Sequence, residues 1–374
     1  MLYKRKYNIL YTTSFARMTG GGQWSLYYLI KHLNKEIFHP IVLCPGEGEL
    51  AEEMRSIGAE MIYLDVGRIR SLNPLVVWKM ISFIKQKQID LIHTDSTTET
   101  FYAGIAARMM RIPLVWHIRV SEREWFLDRV LSLLSTRLIL VANAISPRFA
   151  WLWDHHKTVV VHNGIDLEEF DNLQTTSSIR EEFNVSEDTV LLGCLGRIEK
   201  RKGQEYLVSA MRYIDNVKLL LVGGGEERYI NEIKMLCNEL GISDRVFFAG
   251  SRADIPSVLK EIDMLVLPSI SGEGFPRVLL EAMAARRPVI ATDDAGNPEA
   301  VEDGLTGYIV PTANIAALAE KIKELVADKK KRTAMGQAGR KRLQKLFTIQ
   351  QHVSKVQGLY LGILAKEHKP GKLS

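Results

Sequence analysis

Short runs of Val, Ile and Leu alternate with longer amphipathic stretches almost from end to end of the chain. Runs that are apolar throughout and too short for helices are typical of strands buried on both faces of a parallel sheet. Helical stretches lie between most of them, for example at 23–33, 100–110, 203–211 and 278–285. The pattern therefore predicts an α/β fold. The predicted strands lie at 7–11, 41–44, 61–64, 91–93, 114–117, 138–141, 159–162, 190–195, 218–222, 246–249, 264–267, 288–291 and 308–310.

These strands are too many for one compact sheet of this kind, so we predict two doubly wound, Rossmann-like domains. The pattern breaks at 163–172, where Asn163-Gly164 and a polar cluster interrupt it. From 315 to 364 the chain reads as helices only, with a boundary at 346–348, and the basic run at 329–332 is expected to be a solvated helix end. The predicted divisions are a first domain at 1–166, a second at 167–346, and a helix with a tail at 347–374.

Composition narrows the class of protein. Of the 374 residues, 46% are hydrophobic and 25% are charged, as in globular proteins. A net charge of +5 is too small to indicate a nucleic-acid partner. Because the sequence has no apolar run of about 20 residues, a cytoplasmic location is expected, at most against the inner face of a membrane. Cys44, Cys194 and Cys237 fit no metal-ligand spacing and are expected to be buried free thiols.

Ligands of open parallel sheets bind at the carboxyl ends of strands, where helices begin. The first such turn is Thr19-Gly20-Gly21-Gly22-Gln23, whose glycines let the backbone approach a ligand closely. It is not a dinucleotide fingerprint, because Ser25 stands at the third glycine position. A tight structural turn is the alternative interpretation.

A second turn, the cationic loop at 196–203, follows the strand predicted to end at 195. It carries Arg197, Lys200, Arg201 and Lys202 before a helix, and both residue types bind phosphate oxygens. The order of glycine and lysine rules out a Walker motif. The position at a strand end favours phosphate binding over a merely solvated loop.

The third turn, at 268–284, is the most informative. It follows a strand, contains Gly272 and Gly274, and leads into a helix that Pro276 can begin. Glu273 lies in the loop and Glu281 just over one turn into the helix, and carboxylates there suit sugar or ribose hydroxyls. Glu281 is surrounded by apolar neighbours in the chain, which is an unusual place for a charge without a partner.

Together, these motifs resemble the retaining glycosyltransferases of family 4. The resemblance covers nearly the whole chain and implies the GT-B architecture, in which two Rossmann-like domains face a cleft and the last helix crosses back to the first domain. Each motif is weak alone, whereas the ordered set is specific. The set comprises Gly196-Arg197, Lys202-Gly203, Leu221 to Gly225, the pair Glu273 and Glu281, Asp303-Gly304, Gly307-Tyr308, Asn163 to Asp166, and the ending from Phe347 to Tyr360.

The resemblance implies a role for each matching position. Arg197 and Lys202 would hold the donor's diphosphate, Glu273 would contact the transferred sugar, and Glu281 would bind the ribose hydroxyls. His117 matches a first-domain histidine near the donor sugar, although a hydrogen-bonded core histidine is at least as common. The catalytic candidates are therefore Arg197, Lys202, Glu273 and His117. The donor-binding candidates are Gly21, Gly22, Gly274, Phe275, Arg277, Val278, Glu281 and Arg252.

Pro276 departs from the family, which often has glycine there. Proline has no backbone N–H to donate, so we expect altered sugar or phosphate contacts and retained activity. No Asp-x-Asp pair occurs, and Asp293-Asp294 has no other evident ligand, so no metal cofactor is expected. A covalent carboxylate or a same-face attack assisted by the leaving phosphate are both open as retaining mechanisms.

The resemblance therefore implies a hexosyltransferase that takes its sugar from a nucleotide donor, with UDP the expected nucleotide. The acceptor would be a saccharide or lipid-linked, as in the synthesis of lipopolysaccharide, capsule or exopolysaccharide. Arginines and aromatic residues near Trp116 and Trp125 suit a phosphorylated or lipid-linked acceptor and peripheral contact with an anionic membrane. An epimerase or hydrolase on the same architecture and a non-catalytic nucleotide-sugar binder are the alternatives.

Overall fold

The computed structural model describes residues 5–18, 20–67, 73–173 and 178–367. All thirteen predicted strands are confirmed, and their limits shift by at most three residues. The strands are β1 (Tyr7–Thr12), β2 (Phe38–Cys44), β3 (Glu60–Tyr63), β4 (Leu91–Thr94), β5 (Leu114–Ile118), β6 (Arg137–Leu140), β7 (Thr158–Val160), β8 (Val190–Leu195), β9 (Val217–Val222), β10 (Val246–Gly250), β11 (Met264–Leu267), β12 (Val289–Thr292) and β13 (Gly307–Val310).

Helices alternate with these strands, and three close the chain. They are α1 (Gly21–Lys31), α2 (Glu49–Ser56), α3 (Pro74–Gln86), α4 (Thr97–Met110), α5 (Trp125–Leu134), α6 (Leu167–Asn172), α7 (Ile179–Glu182), α8 (Gln204–Met211), α9 (Glu227–Glu239), α10 (Ile255–Glu261), α11 (Arg277–Ala284), α12 (Asn297–Ala300), α13 (Ile315–Ala327), α14 (Lys329–Leu346) and α15 (Ile349–Glu367).

The chain forms two compact units, Met1–Asn163 with Ile349–Ser374, and Gly164–Thr348. The first holds a parallel sheet in the order β3-β2-β1-β4-β5-β6-β7. The second holds a parallel sheet in the order β10-β9-β8-β11-β12-β13. The strand order reverses between β1 and β4 in the first unit and between β8 and β11 in the second. Such switch points are where doubly wound sheets bind ligands.

The last helix belongs to the core of the first unit. Val353, Val356 and Tyr360 of α15 are buried together with strand residues such as Ile9 and Val115. The Rossmann-like units and the return of the last helix match the predicted fold class. Among the described residues, none of the helices combines the length and the apolar character needed to cross a bilayer.

The basic run at 329–332 differs from expectation at its last residue. Arg332 is buried and donates to the carbonyls of Leu325 and Val326 at 2.7 and 3.0 Å. These carbonyls lie in the last turn of α13, where backbone acceptors have no intrahelical donor. Arg332, in the first turn of α14, therefore caps the C-terminus of α13. The prediction that its side chain is solvated was wrong.

β2 begins at Phe38, three residues earlier than predicted, and therefore includes Pro40. β2 pairs with β1 from Phe38 onward, but with β3 only from Ile41. On the β3 side, a proline at position 40 therefore has no ladder hydrogen bond to lose, which is why the strand tolerates it.

Candidate active site

In the second unit, two loops flank the switch point between β8 and β11. The cationic loop follows β8, and residues 268–276 follow β11. They meet at Gly203, which has φ +67°; a Cβ there would lie 2.1 Å from the carbonyl oxygen of Pro268. Only glycine combines this backbone conformation with so close an approach. Gly203 therefore brings the predicted phosphate loop against the predicted sugar loop.

Lys202 and Glu273 form the centre of this site. The Lys202 ammonium lies 2.5 Å from Glu273 Oε1, and their side chains are 16% and 7% exposed. The Ser269 hydroxyl donates to the same oxygen at 2.5 Å, and the Glu273 amide donates to Asp294 Oδ2 at 2.9 Å. Lys202 and Glu273, which are 71 positions apart in the sequence, therefore form a fixed and partly desolvated ion pair.

Asp294 is a site residue that sequence reasoning missed, because Asp293-Asp294 was considered only as a metal ligand. Its available signal was its place directly after β12, at the carboxyl edge of the sheet. Burial raises the pKa of the Asp294 carboxyl, and the hydrogen bond from the Glu273 amide lowers it. Asp294 holds the backbone that carries Glu273.

We expect Asp294→Ala to lower kcat/KM about tenfold, because the Glu273 amide loses its acceptor and the loop loosens, an effect on the order of 1 kcal/mol. Steady-state kinetics with a nucleotide-sugar donor measure it. Asp293→Ala is the matched control, since Asp293 Oδ1 likewise accepts one backbone N–H, from Thr312 at 2.9 Å. Equal losses in the two variants would contradict this role for Asp294.

Arg277 and Glu281 lie next to each other on the helix that follows Glu273. Arg277 is buried, donates to the Gly164 carbonyl at 3.1 Å, and approaches Glu281 Oε1 to 3.4 Å. The arginine is thus the partner that the Glu281 carboxylate was expected to need. Gly164 belongs to the motif at the interdomain join, so Arg277 also anchors the beginning of the second unit.

The other second-unit candidates are more dispersed. Arg197 is exposed at the start of the cationic loop, whereas Gly274 is buried and Val278 is half-buried. Phe275 is buried against Phe347, with ring centroids 5.1 Å apart.

Arg252 follows the edge strand β10, two strands from β8, and donates to Asp254 and Glu182 at 2.8–3.0 Å. The Asp254 carboxylate, with help from Glu182, raises the pKa of Arg252.

In the first unit, the glycine turn begins a helix earlier than predicted. α1 starts at Gly21, with Gly20 as its N-cap, so Gly21 and Gly22 form the first turn with unpaired N–H groups. Thr19 lies outside the described residues. A Cβ at Gly22 would lie 3.6 Å from Arg119 Cδ, which brings the turn beside the end of β5. The helix N-terminus and an arginine together favour an anion.

His117 is fully buried at the carboxyl end of β5. Its Nδ1 lies 3.2 Å from His93 Nε2, and its ring stacks on His352 with centroids 6.1 Å apart. Its Nε2 is buried and has no hydrogen-bond partner among the described residues. Burial, and then the charge of Arg119, hold the pKa of His117 well below 6.5, so the ring is neutral near pH 7.

Charged groups after β4 and β5 were also missed by sequence reasoning. Arg119 donates to Asp95 Oδ2 at 3.3 Å, and Glu99 is fully buried in the first turn of α4. Burial raises the pKa of Glu99 to about 7, and the neighbouring Asp95 charge adds to it. Their signal was position, since Asp95 and Glu99 follow β4, which flanks the switch point of the first sheet, and Arg119 follows the neighbouring strand β5.

The three cysteines can be compared with expectation. Cys44, Cys194 and Cys237 are buried free thiols, as predicted. Within the described part of the chain, no group of three or more His, Cys, Asp or Glu side chains is arranged to hold a metal ion.

Two family models match the chain, one in each half. The model described as Glycosyltransferase Family 4 matches residues 19–169, and the model described as Glycosyl transferases group 1 matches residues 175–342. Both ranges contain predicted site residues, the glycine turn and His117 in the first and the Lys202–Glu273 pair in the second.

Similar proteins span most of the chain. The capsular polysaccharide biosynthesis glycosyltransferase CapM of Staphylococcus aureus is 30% identical over 281 residues, 70% of this chain and 72% of CapM. An Escherichia coli UDP-Gal:alpha-D-GlcNAc-diphosphoundecaprenol alpha-1,3-galactosyltransferase is 25% identical over 363 residues, 90% of this chain and 92% of that protein. The crystal structure of Anabaena HepE in complex with UDP has a TM-score of 0.83 at 23% identity and covers 95% of this chain and 100% of its own.

Proposed function

Since this chain belongs to glycosyltransferase family 4, we propose that it moves a hexose from a UDP-sugar to a saccharide or lipid-linked acceptor with retention of anomeric configuration. The observation that carries the proposal is the Lys202–Glu273 pair at the switch point of the second sheet, 2.5 Å apart and largely removed from water. A lysine held there supplies the positive charge that a departing diphosphate requires, and the carboxylate beside it suits a sugar hydroxyl.

In the proposed reaction, the bond between the anomeric carbon and the diphosphate breaks, and its electron pair stays on the diphosphate. Lys202 stabilises the resulting negative charge, and the exposed Arg197 can close on the outer phosphate oxygens. The acceptor hydroxyl forms the new bond to the anomeric carbon, and its proton passes to an oxygen of the departing diphosphate. Ser269 and Asp294 hold Glu273 in place, so that the ion pair needs little rearrangement when charge develops.

We include in the proposal that no metal cofactor is required, because fixed cations can neutralise the leaving group themselves. A thermal-shift panel of UDP, GDP, ADP and their sugar conjugates, with EDTA present, tests this. We expect UDP and one UDP-sugar to stabilise the protein by about 2.7 kcal/mol at 100 times the dissociation constant. Stabilisation that disappears in EDTA would contradict the metal-free site. Stabilisation by GDP alone would show that the donor nucleotide is GDP and not UDP.

The names of relatives support a membrane-bound acceptor. The E. coli relative acts on a diphosphoundecaprenol-linked sugar, and CapM is named for capsular polysaccharide biosynthesis. We propose that this chain likewise extends a lipid-linked saccharide in cell-surface glycan synthesis, at the cytoplasmic face of a membrane.

The α5 patch, which we define as Trp125, Phe126, Arg129 and Leu133, supports contact with that membrane. Trp125, Phe126 and Leu133 are 58%, 75% and 71% exposed. Residues 125, 129 and 133 lie one turn apart on a single helix face, and the Arg129 guanidinium lies 4.1 Å from the centre of the Trp125 ring. Aromatic residues beside arginine are typical of surfaces that lie in the headgroup region of anionic bilayers.

We expect the protein to sediment with phosphatidylglycerol vesicles at low salt, and Phe126→Glu with Leu133→Glu to weaken this binding at least tenfold. Each lost side chain removes about 1.5–3 kcal/mol of apolar burial, and the new charges oppose anionic lipid. Tyr213→Glu with Met235→Glu is the control, because both are exposed large apolar residues of the second unit. If the wild-type protein stays in the supernatant, membrane contact is contradicted, whereas the proposed reaction with the donor is not affected by this result.

A further inference from the structure

The last helix reaches His117 through a chain of buried polar side chains in the first unit. The Tyr360 hydroxyl of α15 lies 2.6 Å from His93 Nδ1, and His93 Nε2 lies 3.2 Å from His117 Nδ1. All three residues are at most 1% exposed. The sequence separates Tyr360 from His93 by 267 residues, and only the packing of α15 on this sheet brings them together.

The length of the first contact favours the Tyr360 hydroxyl as the donor. A distance of 2.6 Å is shorter than the usual range of N–H donors and lies within the range of hydroxyl donors. Burial raises the pKa of Tyr360 well above 10, so its hydroxyl keeps its proton and can donate it.

This direction determines the protonation of both imidazoles. Burial holds the pKa values of His93 and His117 well below 6.5, so each ring carries one proton near pH 7. If Nδ1 of His93 accepts from Tyr360, its proton must be on Nε2, which then donates to His117 Nδ1. The proton of His117 is thereby placed on Nε2, the atom without a partner among the described residues.

We propose that Tyr360, acting through His93, holds His117 in the tautomer protonated on Nε2, so that this N–H is kept for an oxygen of a ligand bound at the carboxyl end of the first sheet. Tyr360 and His93 are positioning residues in this scheme. The claim rests on the proposed function for the identity of the ligand, but its tautomer part concerns the free protein. A buried N–H without a partner is unfavourable, and an accepting hydroxyl or phosphate oxygen would relieve that cost.

The α15 helix also holds the other side of the ring. His352 stacks on His117, and its Nδ1 donates to the His162 carbonyl at 2.7 Å, which fixes the orientation of the stacking ring. The two residues of α15 therefore have separate effects, because His352 restrains the plane of His117 and Tyr360 sets its proton.

The tautomer is tested on full-length protein labelled with 15N-histidine, by recording long-range 1H–15N spectra of the imidazole rings without ligand. His117→Gln identifies the His117 signals by their loss. We expect His117 and His93 to show a protonated Nε2 and a bare Nδ1 across neutral pH. A proton on His117 Nδ1, or on both nitrogens, would overturn the proposal whatever the enzyme's substrate.

Tyr360→Phe tests the role of the hydroxyl, because the ring can keep its edge contact with Phe38, whose centroid is 5.8 Å away. We expect the His93 and His117 signals to become tautomer mixtures and kcat/KM to fall about tenfold, the loss of one buried hydrogen bond. Tyr102→Phe is the control, since it removes another fully buried hydroxyl of the first unit, one that accepts from the Asn73 amide. Both readouts should be unchanged there.

The remaining outcomes separate the two claims. Unchanged tautomers in Tyr360→Phe would overturn the relay, and mixed tautomers with unchanged kcat/KM would overturn its link to ligand binding. Wild-type protein without transfer activity on any nucleotide-sugar would instead defeat the proposed function, while the wild-type spectra would still decide the tautomer.

Discussion

Lys202→Met is expected to lower kcat by roughly 10²–10³, equivalent to about 2.7–4 kcal/mol of lost transition-state stabilisation. The ammonium is the charge nearest to Glu273, and its side chain is only 16% exposed. In such a partly desolvated site, water replaces a lost cation poorly. Methionine keeps most of the volume of the lysine side chain, so the loss reports charge more than packing.

The measurement is single-turnover kinetics with a saturating UDP-sugar, which separates the chemical step from donor binding. Lys331→Met is the matched control, because Lys331 also pairs with a glutamate of the second unit, Glu324, but at the start of α14. Turnover within a factor of three of wild type in Lys202→Met would remove Lys202 from the reaction. Equal losses in both variants would point to stability and not to chemistry.

Gly203→Ala is expected to destabilise the second unit by about 3–5 kcal/mol and to lower kcat/KM about a hundredfold. Part of the stability loss, about 1–3 kcal/mol, comes from a left-handed φ of +67° in a residue with a side chain. The rest arises because the new Cβ would lie 2.1 Å from the Pro268 carbonyl oxygen, so the two loops must move apart. Activity falls because Lys202 and Glu273 are on those loops.

Gly241→Ala separates these contributions. Gly241 has nearly the same φ, +66°, but a Cβ there would meet nothing within 4 Å. It should lose about 1 kcal/mol and no activity. Denaturant unfolding and kinetics on both variants make the comparison. If Gly203→Ala lost no more stability than Gly241→Ala, the close approach of the loops would not exist in solution.

The fold class could be predicted because each of its signals is local. A strand that is buried on both faces needs a continuous apolar run, and this requirement shows in the sequence whatever the partner strand is. The α/β class was predicted on that basis, the GT-B architecture was implied by the resemblance that the motif order carries, and both were confirmed. The end of a strand could not be predicted where a neighbouring strand determines it. Pro40, for example, can lie in β2 only because β3 begins to pair with β2 at Ile41.

The site could be predicted only in part. Lys202, Glu273 and Glu281 were proposed from the sequence because charged residues near the carboxyl end of a buried strand are conspicuous there. Asp294 was not found as a support for Glu273, because its role is a contact with a backbone amide 21 residues away. Arg277 was a donor-binding candidate by sequence, and only the structure shows its contacts with Glu281 and Gly164.

The sequence by itself determined which segments are strands and helices, how many sheets the chain needs, and which loops carry charge toward a ligand. These properties depend on periodicity and on residue chemistry over a few neighbouring positions. The tertiary structure alone decided which distant groups share a proton or a charge: Lys202 with Glu273, Arg332 with the end of α13, and Tyr360 with His93. Such pairs depend on sheet order and helix packing, because hydrogen bonds and desolvated ion pairs require approach to about 3 Å, which no local pattern encodes.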